Sequence, residues 1–375
     1  MKKLKVMTVV GTRPEIIRLA AVIKQLDATT NHVLVHTGQN YDYELNEVFF
    51  QDLGLRSPDH FLNADVTSLG ATLGSILAGI EKVIIAEKPD AFLVLGDTNS
   101  CVSAIMAKRM RVPVFHMEAG NRSFDENVPE ETNRRIIDHT ADYNLAYTEH
   151  ARRNLLAEGL HPSRIIVTGS PMAEVLDGNR AQIEASSVLD DQGLTARGYF
   201  LVSLHREENV DYPDRLALAC EALQAVRETY GLPILASTHP RTRQRLEALP
   251  DSLKEGLVFH KPFGFNDYVK LQMEAKAVLS DSGTISEESS ILNFSAITLR
   301  DFIERPEALD TGSIITAGLE PSSVLEALDL VIRLPRPRPP VDYQITDTST
   351  RVVSFIVGTV HSHQRRLGLF PSPVL

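Results

Sequence analysis

Two doubly wound α/β units, each a parallel sheet with helices on both faces, make up the fold class that this sequence predicts. Three observations carry the expectation. Short apolar, β-branched runs recur along the chain, and each stops in a polar or glycine-containing turn. Segments with apolar residues at helical spacing lie between those runs. A second series of the same kind starts at Tyr199, after a polar stretch at residues 177–198 that reads as linker and lead-in. Strands and helices alternating in this way build parallel sheets, and ligands of such sheets bind at the carboxyl ends of the strands.

Residues 5–10 form the first strand, and Gly11-Thr12-Arg13-Pro14-Glu15 then opens a helix with Ile16, Ile17, Leu19, Ala20, Ile23 and Leu26 on its apolar stripe. Pro14 suits a first helical turn, where its missing N–H costs nothing. The unpaired amides of that turn, with Arg13 and Arg18, make a candidate anion site. An ordinary strand-to-helix turn with two surface arginines fits the same residues. Residues 33–40 and 91–100 repeat the pattern of an apolar run ending in polar groups, and residues 69–86 and 101–110 have helical spacing. Val112, Val114, Phe115 and Met117 suit another short buried strand, Gly120 lets the chain turn, and Pro129 suits the start of the next helix. Strands at 143–147 and 164–167 complete a first domain at residues 1–170.

The second domain, residues 171–347, starts its strands at 199–204, a run that ends in His205-Arg206-Glu207-Glu208-Asn209. Strands follow at 233–237, ending in Thr238-His239-Pro240-Arg241, at 257–260, and at 277–279. The last leads through Ser280-Asp281-Ser282-Gly283-Thr284 into a helix with Glu287 and Glu288 in its first turn. Backbone amides at that helix start, with the Ser282 and Thr284 hydroxyls, can cradle a diphosphate; a plain helix cap uses the same residue types. A helix at 321–328 and a rigid proline-rich crossing at 335–340 come next. Val352, Val353, Ile356 and Val360 mark a closing amphipathic helix within residues 348–375.

Composition limits the function. The chain has 375 residues and is 43% hydrophobic, enough for two full cores. Its net charge of −11 argues against broad binding of nucleic acid or anionic membranes and favours small-molecule partners. Cys101 and Cys220 are the two cysteines, with no Cys-x-x-Cys spacing, so a disulfide framework and a structural zinc site are both unsupported and a cytoplasmic setting is expected. The N-terminal Lys residues and apolar run imitate a signal peptide only as far as Gly11. No stretch reaches roughly 18 uninterrupted apolar residues, so no membrane span is expected. Gly-x-Gly-x-x-Gly, P-loop, His-Glu-x-x-His and Gly-x-Ser-x-Gly patterns are absent, and with them goes the support for dinucleotide, P-loop, zinc and serine-hydrolase chemistry. No cofactor or metal is expected.

Charge collects suddenly after the strand at 112–117. Glu118, Asp125, Glu130 and Glu131 are interleaved with Arg122, Arg134 and Arg135 at a strand's carboxyl end. Acids there can serve proton transfer, although a solvated loop before a helix also favours acids in the first turn.

Seven motifs in order, Gly11-Thr-Arg-Pro-Glu15, Gly96-Asp-Thr98, His116-Met-Glu-Ala-Gly120, Pro129-Glu-Glu-Thr-Asn-Arg134, His205-Arg-Glu-Glu208, Asp281-Ser-Gly283 and Glu304-Arg-Pro-Glu307, resemble the non-hydrolysing UDP-N-acetylglucosamine 2-epimerases over nearly the whole chain. The resemblance implies two Rossmann-like domains of the glycogen-phosphorylase type, with a UDP-sugar in the cleft between them, a homodimer, and a last helix packed back on the first domain. It assigns the family's catalytic acids to Asp97, Glu118 and Glu130 and its catalytic histidine to His205. Nucleotide and phosphate contacts fall on Arg13, Arg18, Ser282, Gly283, Thr284, Glu288 and Arg305. Asn121, Thr284 and Glu207 depart from the common family pattern and resemble the branch that converts UDP-2-acetamido-2,6-dideoxy-L-talose to UDP-N-acetyl-L-fucosamine for surface polysaccharide. Conversion of UDP-N-acetylglucosamine to UDP-N-acetylmannosamine is the alternative within the family, and glycosyl transfer on the same fold is the alternative outside it.

Overall fold

The computed structural model describes residues 3–39, 50–238 and 240–370, without the side chains of residues 240 and 241. Asn40 and His239, which end two of the expected polar loops, lie outside the described residues. The chain forms two compact units, one made of Met1–Gly178 with Ile345–Leu375 and the other of Asn179–Gln344.

The first unit carries a seven-stranded parallel sheet: β1 (Lys5–Val10), β2 (Asn31–His36), β3 (His60–Phe61), β4 (Ala91–Leu95), β5 (Val114–Met117), β6 (Tyr143–Ala146) and β7 (Ile165–Val167). Their order is β3-β2-β1-β4-β5-β6-β7, and every pairing is parallel. Both faces are covered, so successive positions of β1, β4, β5 and β6 are buried instead of alternating with exposed ones. β4, Ala-Phe-Leu-Val-Leu, is buried at every position. The helix Arg13–Thr29 turns Ile16, Leu19, Val22, Ile23 and Leu26 inward.

The helix Leu69–Glu87 reaches a mean hydropathy of 1.6 over 18 residues, and by length and composition it could cross a membrane, although Glu81 and Lys82 interrupt it. Ile76, Ile80 and Ile84, spaced by four, are fully buried in the core of the first unit. Its apolar character therefore includes a face that covers the sheet.

The closing helix Thr348–Leu367 belongs to the first unit and buries Val352, Val353, Ile356 and Thr359. Phe355 meets the stacked pair Phe115 and Tyr143 edge-on, with ring centroids 6.1 and 5.5 Å away. Thr348 Oγ1 donates to the carbonyls of Thr168 and Ser170, at 3.3 and 3.1 Å, and Ser349 N donates to Glu174 Oε2 at 2.8 Å. These bonds pin the returning chain to the end of the first pass. The helix Met172–Gly178 packs against Arg13–Thr29, so the first unit runs on from residue 170 to Gly178; the second unit ends at Gln344 instead of residue 347.

In the second unit the five strands are β8 (Phe200–Leu204), β9 (Ile234–Thr238), β10 (Leu257–His260), β11 (Ala277–Ser280) and β12 (Ala296–Thr298). They run in the order β10-β9-β8-β11-β12, all parallel. The stretch expected as linker contains helices, Arg180–Ala185 and Val188–Asp191, whose Ile183 and Val188 are buried. Helices Pro213–Tyr230 and Pro321–Arg333 share one apolar core with the sheet through Leu223, Val226, Val324 and Leu328.

Candidate active site

Each sheet reverses its winding at one pair of neighbouring strands, β1 with β4 in the first unit and β8 with β11 in the second. The carboxyl edge of such a pair is where an open α/β sheet takes its ligand. Arg13, Asp97, His205 and Ser282 follow those four strands, and Glu118 follows β5.

In the first unit, Gly11 holds the turn after β1, because a Cβ there would overlap Thr37 Oγ1 and lie 2.9 Å from Gln39 Cδ. Glu15 is wholly buried, and one of its oxygens accepts from Gly11 N at 2.8 Å, Thr12 N at 2.7 Å and Thr12 Oγ1 at 2.9 Å. The Ser100 hydroxyl donates to its other oxygen. Burial raises the Glu15 pKa, outweighing those bonds. Glu15 thus ties the Arg13 turn to the loop that carries Asp97. Arg13 is the first residue of its helix and half-buried.

Glu118 sits just past β5 in the left-handed region, at φ 64°, a backbone cost that sites of function often bear. Its side chain is 8% exposed. Arg18 Nη1 pairs with Oε2, and Asn121 Nδ2 donates to Oε1 at 3.2 Å. Gly96, at φ 75°, brings the β4 loop close: a Cβ there would lie 3.3 Å from Glu118 Oε2. The next residue, Asp97, accepts Arg134 Nε at 2.7 Å on its carboxylate and Asn133 Nδ2 at 2.8 Å on its carbonyl. Arg134 also pairs with Glu131 at 2.9 Å, and Glu131 accepts the Ser123 amide and hydroxyl at 3.2 Å each. The helix Glu130–Thr140, with half-buried Glu130 as its first residue, is thereby locked to both loops.

Beneath this cluster lies an ionic hub that motif reading missed. Asp138 is fully buried; it meets His116 Nδ1 at 2.9 Å and Arg122 Nη1 at 2.8 Å, and accepts Gly120 N at 3.1 Å. His116 Nε2 bonds the Gly96 carbonyl at 2.8 Å, so both ring nitrogens are used inside the protein. The sequence shows Asp138 as one more acid on a polar helix, and only the placement of that helix reveals its inward face. Gly120 has φ 84°, and a Cβ would overlap the Ala151 carbonyl oxygen.

In the second unit, Asp281 orients His205. The carboxylate is fully buried and lies 3.0 Å from His205 Nδ1; it accepts His205 N at 3.1 Å, Arg206 N at 3.0 Å and Asn209 Nδ2 at 3.3 Å. Burial alone would raise its pKa, but the charge and hydrogen bond of His205 and the two backbone N–H groups outweigh it, leaving the carboxyl below its ordinary value. With Nδ1 so held and the ring 42% exposed, Nε2 is the nitrogen available to a ligand.

Ser282 and Thr284 exchange a hydroxyl hydrogen bond at 2.9 Å just ahead of the helix Ile285–Leu292. Arg305 is buried and donates from Nε to the Gly283 carbonyl at 2.7 Å, with Nη1 at 3.3 Å from Glu287. Its guanidinium therefore supports the Gly283 turn. Glu288, in the same helix, accepts Gln272 Nε2 at 2.6 Å. In the first unit the structure brings together Asp97, Glu118 and the helix start at Glu130; in the second it brings His205 beside the Ser282-Gly283-Thr284 turn through Asp281. Arg13 and Arg18 flank one turn, but Arg18 spends a guanidinium nitrogen on Glu118.

Comparison with known proteins gives this geometry a family. The family model UDP-N-acetylglucosamine 2-epimerase matches residues 24–357. A solved UDP-N-acetylglucosamine 2-epimerase from Rickettsia bellii is 46% identical with a TM-score of 0.92, over 98% of this chain and 99% of that one. The Methanocaldococcus jannaschii UDP-GlcNAc 2-epimerase, solved in complex with UDP-GlcNAc and UDP, is 36% identical with a TM-score of 0.89, over 95% and 100%. A UDP-2,3-diacetamido-2,3-dideoxy-D-glucuronate 2-epimerase of Pseudomonas aeruginosa is 34% identical over 86% of this chain and 91% of that protein. Sequence motifs, two switch-point sites and near-complete coverage agree: the chain belongs to the UDP-N-acetylglucosamine 2-epimerase family.

Proposed function

We propose that this member of a C2 epimerase family acts on UDP-2-acetamido-2,6-dideoxy-L-talose and yields UDP-N-acetyl-L-fucosamine. The carrying observation is the placement of acids and phosphate-type turns: Asp97 and Glu118 gather at Gly96, while Asp281, which holds His205, leads directly into the Ser282 turn.

The chemistry explains why both kinds of group are needed. A C2 proton beside an acetamido group is barely acidic, so a carboxylate cannot remove it directly at a useful rate. Departure of UDP from C1 leaves positive charge next to C2 and acidifies that proton. Helix N-termini and arginines stabilise the diphosphate as its charge develops. A carboxylate takes the proton, giving a glycal and UDP in an anti elimination. Re-addition of UDP, with a proton delivered to the opposite face of C2, inverts that centre and regenerates the C1–O bond. Two faces need two proton-transfer groups, which Asp97, Glu118, Glu130 and His205 supply. Arg13, Ser282, Gly283 and Thr284 are assigned to the nucleotide, with Arg18, Glu288 and Arg305 as further contacts or supports of the same groups.

The choice of sugar rests on Asn121, Thr284 and Glu207. UDP-N-acetylglucosamine is the second reading, favoured by what the Rickettsia and Methanocaldococcus relatives are called. Glycosyl transfer would need an acceptor and no gathered acids. Incubation in D2O with each UDP-sugar alone, then with both in competition, tests the proposal. Deuterium at C2 of the product and a higher kcat/KM for the 6-deoxy-L-talose sugar are expected. Product without solvent deuterium would refute proton exchange through these side chains, and preference for UDP-N-acetylglucosamine would refute the assigned sugar.

A further inference from the structure

We infer that Asn121 is a positioning residue for Glu118, holding one carboxylate oxygen so that the acid keeps a single orientation toward the reacting carbon. This rests on the proposed role of Glu118 as a proton-transfer group.

Glu118 leaves β5 in a left-handed backbone conformation, so its direction is not set by strand geometry, in which side chains alternate. Arg18 and Asn121 are among the groups that hold it. Arg18 Nη1 takes Oε2 and Asn121 Nδ2 takes Oε1, at 3.2 Å. Neither is a loose surface group: Asn121 is 7% exposed, and Arg18 12%. Asn121 is fixed in turn, because its own carbonyl accepts Arg122 Nη1 at 2.7 Å, and Arg122 is buried against Asp138 and Glu158. The chain from Asp138 through Arg122 to Asn121 thus carries the rigidity of the hub to the catalytic carboxylate.

A carboxylate held by a cation alone can rotate about its last torsion, because an ion pair is weakly directional. An amide donor on the other oxygen adds the missing constraint. Rotation would carry an oxygen away from the C2 proton, and proton transfer falls steeply once the donor–acceptor geometry is lost. Asn121 also bears an amide that is neutral at every working pH, so it fixes Glu118 without adding a second titrating group.

Asn121→Leu keeps the branched outline of the side chain, at a larger volume, and removes the donor. Asn121→Gln keeps a donor on a longer arm. The measurements are kcat and KM on the UDP-sugar turned over by the wild type, the UDP dissociation constant, and the primary kinetic isotope effect with substrate deuterated at C2. Loss of a hydrogen bond to a charged group predicts a kcat lower by about 10-fold or more in Asn121→Leu. KM and UDP affinity should stay within about twofold, because Glu118 does not hold the nucleotide. The isotope effect should rise, since C2 proton transfer becomes more rate-limiting, and Asn121→Gln should recover part of kcat. Unchanged kcat and isotope effect in Asn121→Leu would overturn the inference, as would a loss of kcat matched by a loss of UDP affinity. Glu118→Gln, measured alongside, separates the two ideas: if it retains turnover, the role of Glu118 itself fails, whereas an inactive Glu118→Gln beside a normal Asn121→Leu removes only the positioning role.

Discussion

Replacing Asp281 with asparagine should weaken the second unit and blunt the function of His205 together. The buried carboxylate serves four donors: His205 N and Nδ1, Arg206 N and Asn209 Nδ2. An amide keeps one acceptor oxygen and turns the other into a donor that faces donors, so about two of the four interactions are lost. At roughly 1.5 kcal/mol for each bond to a charged group, the loss is about 3 kcal/mol. For a unit of this size, about 2–4 °C per kcal/mol converts that to a melting point lower by roughly 6–12 °C. The sign of the pH dependence follows from the lowered pKa. Asp281 contributes stability above its unfolded pKa, near 4, and loses it as pH falls through its folded pKa. The gap between wild type and Asp281→Asn should therefore be full at pH 7 and shrink below about pH 4. Circular-dichroism melts from pH 7 to pH 3 measure it. A gap under about 2 °C at pH 7, or one that stays constant down to pH 3, would refute the reasoning.

Glu118→Gln preserves shape but cannot exchange a proton, so turnover should fall at least about 100-fold while calorimetric UDP binding persists; normal turnover would remove Glu118 from the mechanism. Arg13→Ala and Ser282→Ala should each weaken UDP binding by about 1–3 kcal/mol, measured by titration calorimetry. Unchanged affinity in both would detach these turns from the nucleotide. Gly120→Ala meets both a left-handed φ and the Ala151 carbonyl, and should destabilise the first unit by about 2 kcal/mol or more in denaturant melts.

Patterns that depend on neighbours in sequence were legible before the fold was known. Strands β1, β4, β5, β8, β10 and β11 announced themselves as apolar runs stopped by glycine or charge, and Asp97, Glu118, His205 and Ser282 could be placed after strands for that reason. β3 and β12, two and three residues long, offer too few positions for a period to show. Helix Pro213–Tyr230 carries helical spacing at Leu216, Ala219, Cys220, Leu223 and Val226, and these residues are its buried side. Burial of charge was the least legible feature. Glu15, Asp138 and Asp281 look like ordinary polar residues of turns and helices, yet each is the acceptor around which a loop is built. The partners of Asp138 and Asp281 lie 16 residues or more away in the chain, and so does Ser100 for Glu15, so no local window contains the full reason for them.

The first unit is interrupted by the second: the chain leaves it at Gly178 and re-enters at Ile345. A ribosome, which adds roughly 5–20 residues per second, would finish the whole of the inserted unit before the helix that covers Phe115 and Tyr143 exists. Until then the Thr168 and Ser170 carbonyls lack the Thr348 hydroxyl, and the sides of Arg13–Thr29, Phe115 and Tyr143 on which the closing helix packs are open to water. The inserted unit can fold as it emerges, from contiguous sequence. The unit that begins first must wait many seconds for its last piece, and in that interval the uncovered Phe115 and Tyr143 rings are what a chaperone would meet.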